Sequence, residues 1–323
     1  MRAIETPEGH TWIAECMSDA AQPPARAARA TLRAALDAER PLVTPLAHDA
    51  LSARLIERAG FRAFAIGGSA MLAARYALPD LGLAALGEMS DGIGDIAAAT
   101  RLPFYADADD GYGDVKSVAR TVAVYERLGA GAILIEDQRR ERKQPRAEAA
   151  KGVVDEAEIA DKLRCAMEAR RDPDTLIIGR TDAYGALGLA AAIRRAEQFL
   201  ALGVDGVFIA GLRAEHEYET VGHALRGAML SAAVFEGIDT PWLAPSALGA
   251  MGFRHVSFPA SLIVRAVGTM QQTLAALRRH ASGVEAMQPA EHSREWRIVL
   301  DDALDVARWR EIERLHASAS EER

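Results

Sequence analysis

A (β/α)8 barrel is the fold class the sequence predicts, and three observations predict it. Eight short, β-rich apolar runs recur along the chain, and amphipathic helical stretches alternate with them. The runs are apolar almost without interruption, the pattern of a parallel sheet covered on both faces. Eight such units close most naturally as a barrel. A doubly wound open sheet is the structural alternative.

Taken in order, the expected strands are Leu42 to Ala47, Ala63 to Gly68, Pro103 to Ala108, Ala132 to Asp137, Leu176 to Thr181, Gly206 to Ala210, Gly227 to Ala232 and His255 to Pro259. Apolar residues recur every three or four positions over Ala50 to Arg58, Asp114 to Leu128, Glu156 to Arg170, Leu187 to Leu202 and Leu262 to Arg279, which predicts helices there. Gly60, Gly129, Gly203 and Gly252 mark helix stops, and Asp114 stands where an N-cap belongs. Residues 1–28 read as an N-terminal arm, with Pro23-Pro24 leading into an Ala/Arg-rich helix from Ala25 to Arg40. The barrel is expected to occupy 29–281 and a helical extension 282–323. In that extension a loop over Ser282 to Pro289 precedes a helix over Ala290 to Ala317, and Glu321 to Arg323 form a solvated end. The helix carries Trp296, Val299, Leu300, Leu304, Trp309 and Ile312, more apolar surface than a free tail should show. It is expected to pack on its own barrel or on a neighbouring subunit.

Composition narrows the function classes. With 323 residues, 50% of them hydrophobic and 26% charged, one large core can form. A net charge of -8 argues against nucleic acid or an anionic membrane as partner, but leaves open a small anionic substrate held by local arginines or a metal. Cys16 and Cys165 stand alone, giving no disulfide framework and no zinc spacing, so a reducing, cytoplasmic setting is expected. With no basic segment before an apolar core near residue 1 and no apolar run of spanning length, neither export nor membrane insertion is expected.

Chemistry in a barrel sits at the C-terminal ends of the strands. Here those ends carry Gly67-Gly68-Ser69 on the second strand, Asp107 and Asp109 on the third, Glu136-Asp137 on the fourth and Arg180-Thr181-Asp182 on the fifth. Asp107 and Asp109 lie two apart on what reads as extended chain and should point to one side. Glu136 follows Ala-Ile-Leu-Ile and would be a costly unpaired buried charge unless it joined them on one cation. Oxygen-only ligands favour Mg2+ or Mn2+. Arg180 offers a planar fork for a carboxylate or phosphate, and Gly67-Gly68 can bring backbone N–H groups against an anionic oxygen. Any one of these features has a plainer explanation: a turn, a helix cap, an Arg180–Asp182 ion pair. Their occurrence on four successive strand ends favours a pocket for a metal-chelating oxo acid. Ser90-Asp-Gly-Ile-Gly-Asp follows a helical stretch and lacks a third glycine, so it is not read as a phosphate loop. His255 and Ser257 are expected to be packed or hydrogen-bonded barrel residues, His48 to reach toward the rim, and Cys165 to be buried in its helix.

The stretches Leu78-Pro-Asp-Leu-Gly-Leu, Ala106-Asp-Ala-Asp-Asp-Gly-Tyr-Gly, Leu134-Ile-Glu-Asp-Gln, Gly179-Arg-Thr-Asp-Ala and Glu236-Gly-Ile-Asp-Thr-Pro resemble the isocitrate lyase/phosphoenolpyruvate mutase superfamily, in order from about residue 31 to 281. The resemblance implies a barrel whose last helix is swapped onto a partner, commonly in dimers of dimers, and so a homo-oligomer built through the C-terminal helix. It implies a Mg2+ network on Asp80, Asp107, Asp109 and Glu136, with Asp107 the direct ligand. It places substrate binding on Arg180 and an oxyanion loop on Gly67, Gly68 and Ser69.

The departures bear on reaction type. The lyases carry Lys-Lys/Arg-Cys-Gly-His in a mobile loop after the fourth strand, with the cysteine as catalytic acid; this chain has Arg142-Lys143-Gln144-Pro145-Arg146. Ala210 and Ala233 stand where the lyases keep a glutamate and an asparagine, and Gly67 where they keep a serine. Phosphonopyruvate mutases have a loop asparagine that this loop lacks. What remains is machinery for an enolate, and loss of CO2 needs no acid for its leaving group. The expectation is therefore a Mg2+-dependent carbon–carbon lyase for a small 2-oxo or 2-hydroxy dicarboxylic acid, most economically an oxaloacetate-type decarboxylase. In this reading Lys143 and Arg146 close over the substrate's distal carboxylate or phosphonate, the alternative being a solvated basic loop. A methylisocitrate- or dimethylmalate-type lyase, a phosphonopyruvate mutase or hydrolase, and a non-catalytic metabolite-binding barrel are the alternatives.

Overall fold

The computed structural model describes residues 31–144, 150 and 152–316. Cys16, Pro23-Pro24, the start of the expected first helix, Arg146 and residues 317–323 lie outside them. One sheet contains β1 Leu42–Pro45, β2 Phe64–Ile66, β3 Phe104–Asp107, β4 Ala132–Glu136, β5 Leu176–Thr181, β6 Gly206–Ile209, β7 Leu230–Ala233 and β8 Phe253–Phe258. Its order is β1-β8-β7-β6-β5-β4-β3-β2, with every neighbouring pair parallel. A parallel bridge between Leu46 and Ala65, with Ala47 N–H donating to the Ala65 carbonyl at 2.9 Å, joins the two remaining edges. The sheet therefore closes into a barrel, and the open-sheet alternative falls. β5 has the bounds expected of it. β7 starts three residues late because Gly227, with φ +91°, is still in the preceding turn.

Local chemistry accounts for the helices. Asp49 and Ser52 form a capping box at the start of Ala50–Arg58, and Asp114 accepts from the N–H groups of Lys116 (3.1 Å) and Ser117 (3.2 Å) at the start of Val115–Arg127. Gly60, Gly129, Gly203 and Gly252 all have positive φ, as helix stops require. Ser90 to Asp95 lie inside the helix Leu86–Ala98, which bears out their rejection as a phosphate loop. Four described helices escaped the sequence reading: Gly68–Tyr76, Ala183–Leu187, Glu215–Ala224 and Pro245–Ala250. The first begins directly at the strand end, Glu215–Ala224 buries only Tyr218, Val221 and Gly222, and the other two are five and six residues long, so none shows a clear period.

Two apolar clusters hold the barrel. One fills the space between sheet and helices, with Phe104, Ile133, Ile177, Val122, Leu163 and Phe199 among its members. The other joins Leu32, Ala35 and Leu36 of the helix Leu32–Ala38 to Leu42, Ala63, Ala132 and Leu176, which start or immediately precede their strands. That helix thus covers the N-terminal end of the barrel, and Asp205 pins it by pairing with Arg33 at 2.7 Å and Arg170 at 2.6 Å. Higher in the interior, His255 lies between Thr44 Oγ1 (2.8 Å) and Ser231 Oγ (3.1 Å) and stacks on Tyr105 with ring centroids 3.8 Å apart. Burial pushes its pKa down to about 3, so it is neutral and structural, as expected.

The chain divides into two compact units, one ending at Ile263 and one beginning at Val264. The second unit holds the helices Ser293–Ala303 and Val306–His316, where one continuous helix was expected. The break falls at Leu304-Asp305, with Asp305 at φ +52°. Trp296, Ile298 and Trp309 of this unit are exposed. Among the described residues no helix is long and apolar enough to cross a membrane.

One packing contact is decisive for the first unit. A Cβ at Gly222, inside a helix, would lie 1.8 Å from the Met251 carbonyl oxygen. Gly222→Ala should gain up to ~1 kcal/mol of helix propensity yet destabilise overall by about 1–3 kcal/mol through overpacking against backbone. A urea titration showing equal or greater stability would contradict this packing.

Candidate active site at the barrel mouth

The site begins where β3 runs out. Asp107 is the last strand residue, and the chain then turns through Asp109 (φ +47°), Gly111 (φ +83°), Tyr112 (φ +61°) and Gly113 (φ +146°). Asp109 N–H donates to Asp107 Oδ1 at 3.1 Å, and the Asp109 carbonyl accepts from Glu136 N–H at 2.8 Å. Asp109 therefore reaches the cluster through a left-handed turn rather than through strand alternation, which corrects the geometric reason given for pairing it with Asp107. Ligand oxygens of Asp107, Asp109 and Glu136 lie within 4.8 Å of one another.

Glu136 and Arg180 are register partners on β4 and β5, and Arg180 Nη1 stands 2.7 Å from Glu136 Oε2. Arg180 also grips Asp182 with two nitrogens, Nε at 2.9 Å and Nη2 at 3.0 Å, and reaches Asp107 at 3.7 Å. The Arg180–Asp182 ion pair is thus real, and it coexists with contacts to two members of the acidic cluster. Asp182 is oriented in turn by Asp137, which accepts from the Asp182 N–H (2.8 Å), Thr181 Oγ1 (2.6 Å) and Arg195 Nη1 (3.1 Å).

Gly67 and Gly68 open the helix Gly68–Tyr76. A Cβ on Gly68 would sit 3.4 Å from Asp80 Oδ1, and one on Gly67 would sit 3.0 Å from Leu46 Cδ2 and 3.9 Å from Asp107 Oδ2. The electropositive start of that helix therefore faces two of the cluster's carboxylates.

Lys143 has partners that the sequence did not announce: its ammonium sits among the acids, 2.8 Å from Asp80 Oδ1, 3.6 Å from Glu136 Oε1 and in a very short contact with Asp109 Oδ1. Arg146 lies outside the described residues. His48 follows β1, and its Nε2 lies 3.8 Å from Asp49 Oδ2. Cys165 is half-buried with Sγ 3.0 Å from the Val115 carbonyl, and burial raises its pKa, so it is no activated thiol.

Sequence reasoning passed over Arg140. Its guanidinium donates to Asp110 Oδ1 (2.7 Å), Gly82 O (3.0 Å) and Ala84 O (2.9 Å) and lies over the Tyr112 ring at 5.2 Å, tying together the segments that follow β2, β3 and β4. Asp110, the third carboxylate of the run, is spent on this anchor. The only signal was a run of arginines that reads equally well as a solvated loop.

A cavity of about 250 Å³ opens beside the cluster. Its lining includes the polar residues Ser69, Asp80, Gln138, Lys143, Asp182, Arg213, Asp239 and Thr240, and the apolar residues Phe208, Ala210, Leu212, Ala233, Phe235 and Ile238. Of the expected site residues, Ser69, Asp80 and Lys143 line this cavity, while Asp107, Asp109, Glu136, Arg180, Gly67 and Gly68 do not.

The donor set fits a hard divalent ion: oxygen ligands only, clustered, buried and already drawn around one cation. Burial raises the pKa of Asp107 against the pull of Arg180. It pushes Asp109 up to about 7, outweighing Lys143 and assisted by repulsion from Asp107, Glu136 and Asp80. Between about pH 4 and pH 7 the folded protein then holds a proton on Asp109 that the unfolded chain has released, so Asp109 contributes stability at low pH that is lost as pH rises through 7. In metal-free buffer the wild-type unfolding midpoint should fall more steeply from about pH 5 to pH 8 than that of Asp109→Asn. Parallel profiles would show Asp109 to titrate normally.

Comparison with known proteins places this geometry. The family model described as phosphoenolpyruvate phosphomutase matches residues 32–278. A probable 2-methylisocitrate lyase of Corynebacterium glutamicum is 36% identical over 79% of this chain and 83% of its own length. The 2,3-dimethylmalate lyase of Eubacterium barkeri is 31% identical over 90% of this chain and 98% of its own. An oxaloacetate decarboxylase of a Bradyrhizobium species is 37% identical over 62% and 68%. Among solved structures, an oxaloacetate acetylhydrolase in complex with 3,3-difluorooxalacetate superimposes with a TM-score of 0.80 at 28% identity, covering 90% of this chain and 97% of that one. A phosphonopyruvate hydrolase in complex with oxalate and Mg2+ gives a TM-score of 0.74 at 27% identity, covering 88% and 98%.

Proposed function

Because the chain belongs to the phosphoenolpyruvate phosphomutase family, within the isocitrate lyase superfamily, we propose that it is a Mg2+-dependent carbon–carbon lyase for a small 2-oxo or 2-hydroxy dicarboxylic acid, most economically an oxaloacetate-type decarboxylase. The observation that carries this reading is the convergence of Asp107, Asp109 and Glu136 beside Arg180, with no thiol in the segment after β4 that is described.

Asp107, Asp109 and Glu136 would hold the ion, with Asp80 in reach, and the bound ion would supply Lewis-acid withdrawal at the 1-carboxylate and 2-oxo oxygens of a substrate. The protein's own groups do the rest. Arg180, fixed by Asp182 and Glu136, presents positive charge where charge builds on the oxygens, and backbone N–H groups at Gly67, Gly68 and Ser69 add to it. The bond between C3 and the departing carboxylate breaks, its electron pair moves into the C2–C3 enolate, and CO2 leaves without needing a proton. Solvent then protonates C3. The apolar lining residues Ala210, Ala233, Phe235 and Ile238 would leave a departing carboxylate poorly solvated, which favours its loss.

A retro-aldol reaction on an alkyl-substituted malate is the second reading, supported by the same apolar residues and by the end-to-end match to a dimethylmalate lyase. For assembly we infer a homo-oligomer formed through residues 282–323, supported by the exposed Trp296, Ile298 and Trp309. A cytoplasmic setting agrees with the absence of a disulfide framework in the sequence.

Incubation with Mg2+ and, separately, oxaloacetate, methylisocitrate, dimethylmalate and phosphonopyruvate decides among the chemistries. Pyruvate with CO2 is the expected outcome. Pyruvate with a second organic acid would select the retro-aldol lyase, phosphate the hydrolase and phosphoenolpyruvate the mutase; silence throughout would favour a non-catalytic barrel. Arg180→Lys should lower kcat/KM by about 100-fold or more, because a point charge cannot grip Asp182 and Glu136 together. Near-normal kinetics would remove Arg180 from the site.

A further inference from the structure

The chain uses 34 arginines and only four lysines, yet the cation set into the acidic cluster is a lysine. An ammonium is a compact point charge, closer in size and hydration to a small metal ion than a planar guanidinium is. The Lys143 side chain is 4% exposed and its Nζ touches Asp80, Asp109 and Glu136. Two of those three belong to the oxygen cluster suited to a divalent ion. Lys143 and Asp80 also line the cavity, whereas Asp107, Asp109 and Glu136 do not. The ammonium is therefore interposed between the cavity and the carboxylates. A divalent ion held among Asp107, Asp109 and Glu136, directly or through its waters, would need the oxygens of Asp109 and Glu136 that the ammonium now touches.

We propose that Lys143 is a tethered counter-cation that holds the acidic cluster when no divalent ion is bound, and that metal binding expels its ammonium toward the cavity. Metal loading then does two things at once. It replaces one cation by a stronger one on the carboxylates, and it delivers a positive charge to the place where a substrate's anionic group would enter. The affinity for the ion is lowered by the fraction of time Lys143 occupies the site. The frame for this exchange is rigid close by: Arg140, three residues upstream, is clamped by Asp110 and two carbonyls, so the exchange is carried by the Lys143 side chain and the few residues beyond the clamp.

This rests on the divalent-ion site proposed above, but its test reads binding and amine reactivity, not turnover. Mn2+ is titrated into the full-length protein and into Lys143→Gln, with free Mn2+ followed by electron paramagnetic resonance. Lys143→Gln should bind Mn2+ at least about tenfold more tightly. Because that variant could lose its fold for want of a cation, the wild-type protein supplies a second measurement. Acetylation of lysines is followed by peptide mass spectrometry in EDTA and in saturating Mn2+, with Lys116, whose side chain is 86% exposed, as internal reference. Lys143 should be protected in EDTA and become acetylated several-fold faster with Mn2+, while Lys116 keeps its rate. Equal or weaker Mn2+ binding by a folded Lys143→Gln would overturn the exchange, as would a Lys143 acetylation rate indifferent to Mn2+. Failure of either protein to bind Mn2+ would overturn it too, and would make Lys143 the permanent cation of the site. Tight Mn2+ binding with no turnover of any acid in the panel would instead count against the lyase reading alone.

Discussion

Everything at the mouth of this barrel follows from the cost of placing Asp80, Asp107, Asp109 and Glu136 together out of water. Carboxylates so close repel each other and lose hydration, and they persist only with a cation among them or with protons on some of them. The structure shows both responses: Lys143 and Arg180 lie against the acids, and burial drives the pKa of Asp107 and Asp109 upward. Oxygens of Asp107, Asp109 and Glu136 gathered in this way could hold a metal ion.

The rest of the first unit is arranged to hold those acids in place. Asp137 fixes Asp182, which fixes Arg180, which pairs with Glu136 across the β4–β5 register. Arg140 gathers the segments after β2, β3 and β4, and Gly82 allows its approach: a Cβ there would lie 2.9 Å from Arg140 Cγ. Below the mouth, Tyr105 stacks on neutral His255, whose imidazole is hydrogen-bonded to Thr44 and Ser231. The cavity beside the acids combines charged residues, Asp80, Lys143, Asp182, Arg213 and Asp239, with apolar ones from β6, β7 and the segments that follow them.

The barrel was legible because its strands are buried on both faces and its helices stop at glycines, so period and punctuation agree. The acids were legible for a similar reason: Glu136 after Ala-Ile-Leu-Ile and Asp107 after Phe-Tyr-Ala are charges at the ends of buried runs, which burial cost makes conspicuous. The partners were harder to read. Arg140, Asp137 and Arg195 act through contacts 30 or more residues away in sequence, and no local pattern separates them from solvated charges. For Lys143 the contact with the acids was not legible, because a basic residue beside both a cavity and an acidic cluster can serve either. The turn at Asp109 and the break at Asp305 both need non-glycine residues at positive φ, which composition does not announce.

Crystals grown with Mn2+ and measured for anomalous scattering at the manganese edge should show one strong peak bounded by oxygens of Asp107, Asp109 and Glu136, with the Lys143 ammonium withdrawn from them. No peak there, with Lys143 still lodged among the acids at millimolar Mn2+, would contradict a divalent-ion site at the cluster.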